Sequence, residues 1–211
     1  GASARLSGRD IIIDNEAIIS TLSGDATGPD LFSSTIFLQK NDLNGNLLWA
    51  RQYDLPEWNG EFAEEVISVP DGYLLYGHDL LSDTSRLFLL KTDKSGFPLM
   101  AVKVDVDANE KFPEIPARSK IIRLGDELFF TGMSQNNVGQ TQGILAKTDL
   151  NGWVNDSCGI FQKTPVNLVA MPAPVSEAVI PPVTASPATV EGATVTVNLP
   201  DLTFSVKCGA G

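Results

Sequence analysis

Apolar residues along this chain come in short runs that are cut every few positions by polar clusters containing Asp, Asn or Gly. Runs of that length, bounded by turn residues, predict strands and hairpins. Three stretches share one phrase. They are Ile36-Phe37-Leu38-Gln39-Lys40-Asn41-Asp42-Leu43-Asn44-Gly45, Leu87-Phe88-Leu89-Leu90-Lys91-Thr92-Asp93-Lys94-Ser95-Gly96 and Gly143-Ile144-Leu145-Ala146-Lys147-Thr148-Asp149-Leu150-Asn151-Gly152. Each reads as an apolar run, Lys, one residue, Asp, two residues, Gly, and then a second run. The Asp positions of successive copies lie 51 and 56 residues apart. Asp42, Asp93 and Asp149 can accept hydrogen bonds from the amides ahead of them, while Gly45, Gly96 and Gly152 supply the positive φ that reverses the chain. The unit is a hairpin, and these six residues are its structural turn residues.

A second hairpin precedes each of these. It is clear at Val66-Ile67-Ser68-Val69-Pro70-Asp71-Gly72-Tyr73-Leu74-Leu75 and at Ile121-Ile122-Arg123-Leu124-Gly125-Asp126-Glu127-Leu128-Phe129-Phe130, and weaker at Ile11-Ile12-Ile13-Asp14-Asn15-Glu16-Ala17-Ile18-Ile19. Two hairpins make four antiparallel strands in a little over fifty residues. Several strands are apolar on both sides and must therefore be covered on both faces. The expectation is an all-β protein of β-propeller type, whose neighbouring blades cover one another. Residues 1–157 would hold three blades, about 11–57, 62–108 and 117–157. A β-sandwich is the competing reading, but it has no reason to repeat Lys-x-Asp-x-x-Gly at a near-fixed interval.

These repeats, with the upstream Asp71-Gly72-Tyr73-Leu74-Leu75, resemble the degenerate propeller repeats of secreted and surface proteins of Bacteroidetes. The resemblance covers residues 11–157 through the blades and, more loosely, a Cys-bounded tail at 158–208. It implies a fold more than a function. The Trp49 position is Met100 in the second copy and Asp156 in the third, so the third blade is expected to lose its outer strand, as a terminal repeat does.

Three blades are too few for a ring. Further blades outside this chain, a fourth sheet from the tail, or association of chains would complete one. Residues 158–211 form a Pro-, Thr- and Val-rich tail. Pro172, Pro174, Pro181 and Pro182 suit edge or covering segments. Ala193, Val195, Val197 and Leu199, then Leu202, Phe204, Val206 and Cys208, alternate as two strands would.

Cys158 and Cys208 are the only cysteines, and they form a disulfide or remain two free thiols. The bridge is the expectation. It would stabilise the fold by about 4 kcal/mol in the chain-entropy model and would belong to an oxidising, extracytoplasmic setting, secreted or at the cell surface. Fifteen basic and 26 acidic side chains leave a formal charge of −11. That field repels phosphate backbones and anionic lipid heads, so neither nucleic acid nor membrane is an expected partner. No apolar run approaches the ~20 residues needed to cross a bilayer. Gly1-Ala2-Ser3, without an initiator Met or a leader pattern, is expected of a processed, tagged or excised chain.

Candidate chemistry is thin. His78 is the only histidine and occupies an ordinary strand position, and no Gly-x-Ser-x-Gly elbow is present. Asp105, Asp107 and Asn109 have the one-three-five spacing of a calcium loop, but Glu110 and Pro116 stand where Gly and a bidentate Glu are needed, so an inter-blade loop is the better reading. No catalytic residue, cofactor or metal is assigned, and calcium at those three residues is only a weak alternative. Glu64 and Glu65 are adjacent on a strand and should diverge rather than flank one bond. Among the tryptophans, Trp49 reads as core and Trp58 is the candidate for ligand contact. Loops 22–34, 78–86 and 133–142 should share one end of the blades. The expected function is a non-catalytic binding or assembly module, taking a protein or glycan partner, or further blades of the same or another chain. The alternatives are part of a propeller hydrolase or lyase whose catalytic residues lie outside this chain, and a structural subunit that self-associates.

Overall fold

A computed structural model describes residues 5–25, 35–56, 60–79, 87–104, 110–111, 120–136, 141–154 and 159–169. Within them the protein is all-β, with three antiparallel sheets. The first sheet is a meander of β1 (Arg5–Asp14), β2 (Ala17–Asp25), β3 (Thr35–Asp42) and β4 (Leu47–Asp54). The second repeats it with β5 (Glu61–Val69), β6 (Gly72–Asp79), β7 (Leu87–Asp93) and β8 (Pro98–Val104). In the third, β10 (Ile121–Leu124), β11 (Glu127–Asn136) and β12 (Thr141–Asp149) run in order, and the two-residue β9 (Glu110–Lys111) pairs with the far part of β11. Among the described residues the three sheets do not close a ring.

The first part of the tail joins sheets formed earlier in the chain. β13 (Phe161–Thr164) adds to the outer edge of the second sheet beside β8, and β14 (Asn167–Val169) adds to the outer edge of the first beside β4. The chain therefore turns back over the sheets it has already formed. It fills two edges that would otherwise present unpaired backbone groups. The Cys158–Cys208 pairing and the alternating segment 193–208 lie outside the described residues.

The sheets stack face to face. One core lies between the first and second, formed by Ile19, Ile36, Leu38 and Tyr53 against Val66, Tyr73, Leu75, Phe88 and Leu90. The other lies between the second and third, with Leu74, Tyr76, Leu87, Leu89 and Val102 against Ile121, Leu128 and Phe130. The second sheet is thus covered on both sides. Leu87-Phe88-Leu89-Leu90 has no polar alternate because Phe88 and Leu90 point into one core and Leu87 and Leu89 into the other.

The three hairpin turns are built alike. In each, the Asp carboxylate accepts amide hydrogens two and four residues on. Asp42 bonds Asn44 and Asn46 at 2.9 and 2.8 Å, Asp93 bonds Ser95 and Phe97 at 2.8 Å, and Asp149 bonds Asn151 and Trp153 at 2.8 and 2.9 Å. Gly45, Gly96 and Gly152 carry φ of +89°, +80° and +72°, a region L side chains rarely enter. Asn46 bonding holds the Asp42 carboxyl below its ordinary range.

Candidate functional site

Every long connection between the second and third strands of a sheet leaves from one end of the stack, and every Asp-x-x-Gly turn sits at the other. Residues 57–59, with Trp58, leave β4 at that same loop end, as do 105–109 after β8, with Asp105, Asp107 and Asn109. All of these residues lie outside the described set, as do 26–34, 80–86 and 137–140, while the remaining parts of the expected loops 22–34, 78–86 and 133–142 are strand instead.

At the base of the loop end, two bulges bring together residues that are distant in sequence. β1 slips register between Gly8 and Asp10, and β5 slips between Ala63 and Glu65, so Arg9 and Glu64 are the extra residues at equivalent places in two sheets. The Arg9 guanidinium lies 3.5 Å from Glu64 Oε1, and His78 Nδ1 lies 3.7 Å from the same oxygen. Arg9 covers the Phe62 ring at 4.9 Å, while His78 stacks on that ring at 5.6 Å. Burial pushes the Glu64 carboxyl up, against the pull of Arg9 and with a further push from Glu65. Burial, helped by Arg9, lowers the His78 imidazole to about 4, so it is neutral near pH 7. The grouping offers a cation, a carboxyl and an imidazole, with the cation and the imidazole both packed on the Phe62 ring.

Glu65 goes elsewhere, as adjacent strand residues do. It is buried in the seam between the second and third sheets, where its carboxylate accepts the Ile121 amide at 2.6 Å and pairs with the Lys120 ammonium. Asp10, one residue past the equivalent bulge of the first sheet, accepts the Val66 amide at 2.9 Å. Each of these carboxylates therefore latches the first strand of the following sheet. The sequence reading missed this pair, although counting four residues back from the aligned hairpin turns finds Asp10, Glu65 and Lys120 at one position.

The repeated lysines also occupy one position. Lys40, Lys91 and Lys147 pair across their ladders with Ile19, Leu74 and Phe129. Lys40 Nζ reaches the Tyr73 hydroxyl of the next sheet at 3.5 Å. Lys91 Nζ, though buried, bonds Asp71 at 2.8 Å and Asn151 of the next sheet at 2.6 Å. Lys147 pairs within its own sheet with Glu127 at 2.5 Å. Trp49 is partly buried against the first core, and its ring packs beside Gly96.

Among the described residues, no group of three or more His, Cys, Asp or Glu is placed to hold a metal ion, and no helix is long and apolar enough to cross a membrane. A scan against protein-family models and searches of curated proteins and of solved structures find no match.

Proposed function

We propose that the chain is a non-catalytic β-propeller module of a secreted or cell-surface protein. In this reading its three sheets are blades that bind or assemble with a protein, a glycan, or further blades. The observation that carries the proposal is an unequal burial of equivalent residues. Ile12, Ile19 and Leu38 face the second sheet, and Ile67, Leu74 and Leu89 face the third. Their counterparts Ile122, Phe129 and Leu145 face outward, with Ile122 and Leu145 exposed. An apolar sheet face of this kind marks a surface made to be covered. The loop end, where Trp58 leaves the scaffold, is the second surface the reading offers to a ligand.

The test uses the full chain on a glycan array and against a panel of purified surface proteins, beside turnover assays with polysaccharide and peptide substrates. Binding that Trp58→Ala or Leu145→Glu abolishes supports the module. Turnover by this chain alone, or a complete lack of binding and assembly, would overturn it.

One observation favours a second reading, in which further blades would complete a hydrolase or lyase. Glu64, held toward its acid form, sits beside a neutral His78 at the loop end, and such unlike titrating neighbours can divide acid and base roles. Activity that required added blades and vanished in Glu64→Gln would establish it.

A further inference from the structure

The stack has a direction, and its two ends match. In both seams the Asp-x-x-Gly turn of the later sheet sits on the forward face of the earlier one. A Cβ on Gly96 would lie 2.8 Å from Trp49, and one on Gly152 would lie 2.9 Å from Leu89. The second residue of the turn joins the contact. Lys94 reaches Asp14 of the first sheet at 2.9 Å, and Leu150 packs into the core beyond Leu89. The third turn residue, Asn151, takes the hydrogen bond from Lys91.

The first sheet carries the same tetrapeptide, Asp42-Leu43-Asn44-Gly45, as the third sheet's Asp149-Leu150-Asn151-Gly152. Here, among the described residues, the turn seats on no other sheet. A Cβ on Gly45 would have open space within 4 Å, and Leu43 is 56% exposed. Beside it, Ile11 and Ile13 are 63% and 74% exposed. At the other end of the stack, Ile122, Leu124 and Leu145 are 59%, 68% and 67% exposed, and the half-exposed Lys147 lies over the Phe129 ring. Leu145 and Lys147 are the counterparts of Leu89 and Lys91.

From this match we propose that the forward face of the third sheet takes the first sheet of a second copy of this chain, head to tail. The joint repeats the seam between the second and third sheets. Leu43 and Gly45 of one copy seat on Leu145 of the other, and Asn44 accepts a hydrogen bond from Lys147. Lys147 can leave Glu127 at small cost because both side chains are about half exposed. The joint is weaker than the internal seams. On the first sheet's open face Ser20 pairs with Gln39 where the second sheet has Leu75 with Leu90 and the third has Phe130 with Ala146. Nor is there a latch, because Lys120 stands where Asp10 and Glu65 accept an amide. Association is therefore reversible and concentration-dependent, and the shared negative charge makes it stronger as salt rises. A joint between unlike surfaces continues into a ring or a longer stack.

The proposal rests on the blade reading, and its test separates the two. Sedimentation velocity of the full chain over a wide concentration range should show a monomer passing to larger species, more readily at high salt. Leu145→Glu and Leu43→Glu should each remain monomeric alone, with unchanged circular dichroism. A mixture of the two keeps one intact face on each copy and should give a species of twice the monomer mass that grows no further. A wild-type chain that stays monomeric throughout overturns head-to-tail assembly, while binding to a glycan or another protein by that monomer would leave the module reading standing. Variants that self-associate as the wild type does, or a mixture that stays monomeric, also overturn it.

Discussion

Removing the Glu65 carboxylate separates two contributions that share one side chain. Its exchange with Lys120 is an ion pair at the surface, since the Lys120 side chain is 71% exposed. Such pairs contribute about 0.2–1 kcal/mol. The bond from the Ile121 amide is different. Both residues are buried, with Glu65 at 7% and Ile121 at 4% exposure, so an amide that loses its acceptor there finds no water in exchange. A hydrogen bond to a charged group contributes about 1.5–3 kcal/mol, and an orphaned buried donor costs a similar amount. The amide bond should therefore dominate. Lys120→Met is expected to cost no more than about 1 kcal/mol, and Glu65→Gln, which keeps a carbonyl acceptor, about the same. Glu65→Leu should cost about 2–3 kcal/mol, a large share of the roughly 5–15 kcal/mol that holds a domain together. Urea denaturation supplies the stabilities. Hydrogen exchange supplies the location, because the Ile121 amide should exchange faster in Glu65→Leu while the Val66 amide, latched by Asp10, keeps its protection. Equal stabilities of the Leu and Gln variants, or an Ile121 amide that exchanges no faster, would refute the latch.

Two further outcomes test the packing and the electrostatics. Gly45→Ala, Gly96→Ala and Gly152→Ala impose the same positive-φ strain, on the order of 1 kcal/mol. Gly45→Ala should cost only that and Gly152→Ala more, because Leu89 must shift. Gly96→Ala should cost most, because Trp49 and Arg51 both lie at 2.8 Å; equal losses of urea stability at all three would count against the seam geometry. For His78, above pH 6.5 the imidazole is neutral in both folded and unfolded chains and exerts no pH dependence. As pH falls from 6.5 towards about 4, the unfolded chain takes up a proton that the folded one refuses, so stability is lost, on the order of 3 kcal/mol across that window. His78→Phe should flatten this part of the stability–pH curve relative to wild type, and an unchanged slope would show that the imidazole titrates normally.

The parts of this molecule that were legible in its sequence are those fixed by near neighbours. An Asp that captures the amides two and four residues on, with a Gly at positive φ between them, is a closed local unit, and it reads the same at 42, 93 and 149. The run at 87–90 could be read as two-sided because a strand with no polar alternate has no face to give to water. What stayed hidden depends on choices between alternatives of equal local merit. β4, β8 and β12 are each the last strand of a meander, and nothing in Phe161–Thr164 or Asn167–Val169 says which of their edges each will take. The Arg9, Glu64 and His78 grouping was missed for a related reason. A bulge adds one residue to one strand, and the apolar pattern around Gly8 and Ala63 carries no mark of it. Glu64 and Glu65, adjacent on this strand, serve opposite purposes. Glu64, as the extra residue, turns toward Arg9 and the loop end, while Glu65 resumes the ladder and faces the next sheet. Alternation alone sends two identical side chains to opposite faces, one to a histidine and the other to a buried latch between sheets, and the bulge sets where along the strand they do so.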